Sequence, residues 1–159
     1  MTANAVPTPF YCKDCALSAI AIGEKAQNLQ ELYNKLSSVH PGSVYYHFWG
    51  GRLRPHYEIR EYHNDYAMWA YHSLRDQTLA ERLAVIDPIE FDDLELLRGE
   101  VLSTIETRLD EIEQIPWTPK VPYFHFVRST IVVFDTNYCI AHPRDLVQIL
   151  PKLASEEPF

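Results

Sequence analysis

The chain has 159 residues, 47% hydrophobic, 13% aromatic and 23% charged, which suits one globular domain with its own core and excludes a disordered tail or a collagen-like fibre. Fourteen Lys and Arg against twenty-two Asp and Glu give a net charge of −8 with histidines neutral, so long-range electrostatics repel nucleic acid and anionic lipid. No window offers the ~18 uninterrupted apolar residues of a membrane span, and Met1 to Pro7 lack the cationic stretch and apolar run of a secretion signal; a cytoplasmic protein that binds neither nucleic acid nor membrane is expected.

After a leader containing Pro7 and Pro9, residues 10–22 have little helical period and end at Gly23, which predicts a β-hairpin turning near Lys13-Asp14. From Glu24 to Val39, apolar residues at Ala26, Leu29, Leu32, Tyr33, Leu36 and Val39 step by threes and fours until Pro41-Gly42, predicting a helix. Ser43 is suited to cap a second helix, Val44 to Leu53, apolar nearly all round and weakened at Gly50-Gly51. A loop is expected over Arg54 to His63. Asn64 then caps Asp65 to Leu74, which carries Tyr66, Met68, Trp69 and Tyr71.

Thr78-Leu79-Ala80-Glu81 has capping-box spacing, and Asp87-Pro88 ends the short helix it opens because the residue before proline avoids the helical region. Asp92 and Glu95 repeat that spacing before the longest predicted helix, Asp93 to Ile115, closed by Pro116, Pro119 and Pro122. Residues 123–135, with Phe124, Phe126 and the run Ile131-Val132-Val133-Phe134, predict a second hairpin turning at Arg128-Ser129. His142-Pro143 opens a last short helix with Leu146, Ile149, Leu150 and Leu153. The fold class expected is α+β, mainly helical: five to six helices with a small antiparallel sheet built from the two hairpins.

Shifting the sequence by 114 places Phe10 on Phe124, Leu17 on Ile131, Ile20 on Phe134, Leu32 on Leu146, Leu36 on Leu150 and Val39 on Leu153 without a gap. Within a single domain of 1–159, this suggests an internal partial repeat of 10–39 and 124–153, against the alternative of chance agreement between two amphipathic segments.

Three cysteines are too few for a disulfide framework. Cys12-Lys13-Asp14-Cys15 on a turn has the spacing to grip a tetrahedral zinc ion, and Cys139 with His142 would complete a Cys3His set if the chain ends met; buried or half-exposed cysteines without a ligand role are the alternative, and no cofactor is the default expectation. Histidines at 40, 47, 56, 63 and 72 form no Glu-x-x-His or His-Glu-x-x-His pattern, and neither a glycine-rich phosphate loop nor a Gly-x-Ser-x-Gly elbow is present. The catalytic residues are unknown. Tyr45, Tyr46, Trp49, Tyr66, Trp69 and Tyr71 fit either an aromatic core or a groove that stacks on sugar rings.

Ser43-Val44-Tyr45-Tyr46-His47, Arg52-Leu53-Arg54, Asn64-Asp65-Tyr66-Ala67 with Trp69, and Leu79-Ala80-Glu81-Arg82-Leu83-Ala84-Val85-Ile86-Asp87-Pro88 followed by Glu95 and Arg98 together resemble a bacterial family of uncharacterised proteins, a domain of unknown function. The resemblance implies a second, often longer, copy of the front unit and a loose link to sugar metabolism, and it carries over no catalytic residue. In one reading the motif residues serve caps and ion pairs, such as Glu81 with Arg82 or Arg98. In the other, His47, Arg52, Asp65 and Trp69 converge on one ligand pocket. The leading functional expectation is a non-catalytic interaction or accessory protein with a protein partner or its own copy. A domain binding a sugar-like small molecule is the second, and a structural zinc site the third.

Overall fold

Two strands of 17 residues, β1 (Phe10–Ala26) and β2 (Phe124–Ile140), pair in a two-stranded sheet. They run antiparallel: the Thr136 hydroxyl donates to the Cys12 carbonyl at 2.7 Å, and Lys13 meets Asp135 at 3.1 Å. The α+β, mainly helical class and the small antiparallel sheet are as the sequence implies, but the two hairpins are not. Each segment is one continuous strand, and its partner lies about a hundred residues or more away along the chain. Neither Lys13-Asp14 nor Arg128-Ser129 supplies the left-handed pair of residues that a two-residue hairpin turn requires, and Gly23 and Arg75 alone have positive φ among the described residues.

The computed structural model describes residues 9–50, 61–112 and 121–153, which divide into two compact units, a larger one within 19–130 and a smaller one made of 9–18 and 131–153. The strands run through both. In the larger unit, α1 (Leu29–Leu36) is capped by Asn28, α2 (Pro41–Trp49) by His40, α3 (Asp65–Trp69) by Asn64, α4 (Gln77–Ala84) by Asp76 and α5 (Leu94–Glu111) by Asp93. Each side-chain acceptor satisfies an N–H that a helix start leaves without an intrahelical partner. The caps differ from expectation at three places, the first being α5, which Asp93 and not Asp92 caps by accepting from Glu95 N–H. His40 Nδ1, not Ser43, accepts from Gly42 N–H, and Asp76, not Thr78, caps α4. Ser43 is instead fully buried inside α2 and donates to the Val127 carbonyl at 2.8 Å.

The core of this unit joins Leu29, Leu32 and Leu36 of α1, Val44 and Phe48 of α2, Tyr66 and Trp69 of α3, Leu79 and Leu83 of α4, Leu97, Val101 and Ile105 of α5, and Phe124 and Phe126 of β2. Each fully buried Leu or Phe contributes about 1.5–3 kcal/mol relative to exposure. Asn64 ties two helices: its side chain accepts from Ala67 N–H at 2.8 Å and donates to the Leu83 carbonyl at 2.9 Å. Glu81 is not the acid of the expected ion pairs. Arg82 binds Glu111 at 2.8 Å, and buried Arg98 binds Glu95 at 3.1 Å while donating to the Leu36 and Ser37 carbonyls at the end of α1.

In the smaller unit, the outer strand segments accompany α6 (Pro143–Leu153), whose start is closed by Asp145 accepting from the Ala141 and His142 N–H groups at 3.0 and 2.9 Å. Those two hydrogen bonds hold the Asp145 carboxyl below the usual carboxylate range.

Candidate functional site

The larger unit has an open cleft of about 360 Å³ lined by His47, Asp65, Met68, Trp69, Tyr123, Phe124, His125 and Val127. Three of the four residues expected to converge therefore meet: His47 from α2, Asp65 and Trp69 from α3. The fourth, Arg52, lies outside the described residues. The α3 cap sets this geometry, because Asn64 fixes the first turn on which Asp65 sits and one further turn carries Trp69 to the same side.

His47 is 3% exposed and both ring nitrogens are engaged. Nε2 accepts from the Val127 backbone N–H at 3.2 Å, and Nδ1 lies 3.0 Å from Asp65 Oδ2. A nitrogen that accepts an N–H carries no proton of its own, so the proton sits on Nδ1 and is donated to Asp65. This imidazole bolts α2 and α3 to β2; it has no lone pair left to take a proton from a bound molecule. Trp69 is held likewise, its indole N–H donating to the Pro122 carbonyl at 2.7 Å and its ring set edge-on to Phe124.

Most of the aromatic set is core. Tyr46, Tyr66 and Trp69 are buried, and Tyr66 stacks on Phe124 with ring centroids 5.2 Å apart. Burial raises the Tyr66 phenol far above its ordinary range, and its hydroxyl has no hydrogen-bond partner among the described residues. Tyr45 stacks on Trp49 at 4.7 Å nearer the surface. Of the cleft lining, Met68, Tyr123, Phe124, His125 and Val127 are not among the site residues the sequence pointed to. Strand alternation sets Tyr123, His125 and Val127 on the parity opposite to the core residues Phe124 and Phe126, but it does not say which elements that face meets.

The four residues considered for zinc are not brought together. Cys12 and Cys15 lie on one continuous strand at an odd separation, so their side chains leave opposite faces, and Cys12 is buried while Cys15 and Cys139 are exposed. His142 is an exposed residue at the start of α6. Among the described residues no group of three or more His, Cys, Asp or Glu is placed to hold a metal ion, and no helix is long and apolar enough to cross a membrane.

The smaller unit presents the other candidate. Phe10, Tyr11, Ile131, Val132, Val133, Phe134, Leu146, Val147 and Leu150 are all exposed, and large apolar side chains left open in such number mark interaction surfaces.

A family model described as a family of unknown function (DUF5752) matches residues 7–158. The structure of OrfY from Thermoproteus tenax is similar in fold, with TM-score 0.65 at 22% sequence identity, over 94% of this chain and 67% of that one. No curated protein matches.

Proposed function

The chain belongs to the family of unknown function DUF5752, and from that starting point we propose that it is a non-catalytic interaction or accessory protein whose smaller unit is the docking element. One observation carries this reading. Leu146, Val147 and Leu150 project from α6 at 40%, 75% and 56% exposure, on an amphipathic helix beside a two-stranded ribbon, and neither element is stable in water without apolar cover. The closed hydrogen-bonding of His47 supports the non-catalytic part. Affinity capture with the full chain and with Leu146→Glu/Leu150→Glu tests it. A binding partner, another copy included, retained by the wild type and lost by the variant is expected; equal recovery by both, or none by either, refutes the reading.

The cleft favours a second reading, a domain that binds a small sugar-like molecule, because His47, Asp65 and Trp69 line one cavity. A ligand at one hundred times its Kd stabilises the folded state by about 2.7 kcal/mol. Thermal-shift measurements against sugars and sugar phosphates are expected to find one such ligand, with the shift lost in Asp65→Asn; no shift across the panel refutes this second reading.

A further inference from the structure

We propose that the occupant of the exposed α6 face is a second copy of this chain, the two α6 helices packing antiparallel about a two-fold axis. This rests on the docking reading above and names its partner. The first argument is the match between the two strand-and-helix segments. β2 begins and ends 114 residues after β1, and α6 begins 114 residues after α1. At that offset Leu32 and Leu36, both at 0% exposure, correspond to Leu146 at 40% and Leu150 at 56%. The same residue type in the same register is sealed in one segment and open in the other. In α1 the seal is an apolar helix seam, Leu97, Val101 and Ile105 of α5, so a helix bearing a Leu stripe is the shape that fits.

Charge selects which helix that is. Residues 19–130 hold 11 Lys and Arg against 17 Asp and Glu, a net −6, whereas residues 1–18 and 131–159 hold three against five, a net −2. Two chains of net −8 repel mainly through their larger units and meet at least cost where the net charge is smallest, whereas a basic partner would be drawn to the more acidic larger unit instead. Asp145 and Lys152 flank the Leu146, Val147 and Leu150 stripe seven residues apart, on one face of α6. An antiparallel pair sets each Asp145 beside the Lys152 of the other copy, twice across the axis, while a parallel pair sets like charges together.

Sedimentation velocity of the full chain from 1 to 100 µM tests this, with Trp fluorescence following the larger unit. The wild type is expected at twice the chain mass, including in 0.5 M NaCl. Leu146→Glu/Leu150→Glu is expected at the single-chain mass with unchanged fluorescence, and Lys152→Glu with at least a tenfold higher dissociation constant. A wild type at the single-chain mass throughout, or a double variant that still dimerises, overturns the proposal. If that monomer still retains a partner that the double variant loses, the docking reading stands without self-association; if it retains none, both readings fall.

Discussion

At position 66 a full-size aromatic ring is buried with its hydroxyl lacking a partner among the described residues. Burying a hydroxyl without a hydrogen bond costs about 1–3 kcal/mol, and the ring, stacked on Phe124, contributes the packing. Tyr66→Phe is therefore expected to leave stability unchanged or to raise it by about 1 kcal/mol in chemical denaturation; a loss of similar size would mean that the hydroxyl is satisfied by another group. Local residue signals were the most legible part of the sequence. Asn64 reads as a helix cap because Asn is among the strongest acceptors at that position, and it is one. His40 does not read as a cap, since an imidazole does that work only when its ring happens to lie over the next turn. His47, Asp65 and Trp69 could be grouped by their spacing around the Asn64 cap, while Tyr123 and His125 could not, because assigning them to the cleft required knowing where β2 lies.

Between elements, an electrostatic clasp joins α4 to α5. Glu111 accepts from Arg82 and from Arg108, and these hydrogen bonds, Arg82 first, lower its carboxyl below the ordinary 4.5. A carboxylate with a depressed folded-state pKa contributes stability that is complete above its unfolded value and disappears as pH falls through the folded one. In urea titrations from pH 7 to pH 2, Glu111→Gln is expected to be less stable than the wild type near neutrality and equal to it at the acid end. A constant difference at all pH values would assign the effect to packing. A second prediction concerns the π-helical turn Ala70–Leu74 that continues α3 and ends at Arg75 with φ 59°. A left-handed non-glycine residue costs about 1 kcal/mol, so Arg75→Gly is expected to raise the midpoint of thermal unfolding, and a fall would indicate that the arginine side chain has a packing role. Helix positions followed from apolar period and stop signals, whereas the hairpins did not: alternation marks a strand without indicating its neighbour, and β1 finds its partner at the far end of the chain.

For the whole molecule, the two units differ in how their apolar side chains are covered. The larger unit seals Leu32, Leu36, Leu97, Val101 and Ile105, while the smaller leaves Ile131, Val133, Val147 and Leu150 open. Amide exchange reports local opening, so residues 29–48 are expected to show protection independent of protein concentration, and residues 131–153 protection that grows with it. Concentration-independent exchange in both would oppose association through α6. This division was only faintly legible in the sequence: apolar period says which face of a helix is apolar, and it is equally strong in α1 and α6, so it could not show that Leu32 and Leu36 are sealed while Leu146 and Leu150 are open.

The long separation of β1 from β2 has a consequence for how the polypeptide is made. At about 5–20 residues per second, β1 leaves the ribosome roughly 6 to 23 seconds before the matching part of β2, and Phe124 and Phe126, which close the floor of the helical core, are delivered late as well. During that interval the nascent chain carries an unpaired strand edge and uncovered apolar side chains, the features that chaperones cover. Its yield in a cell should therefore depend on such shielding far more than the stability of the finished protein would suggest.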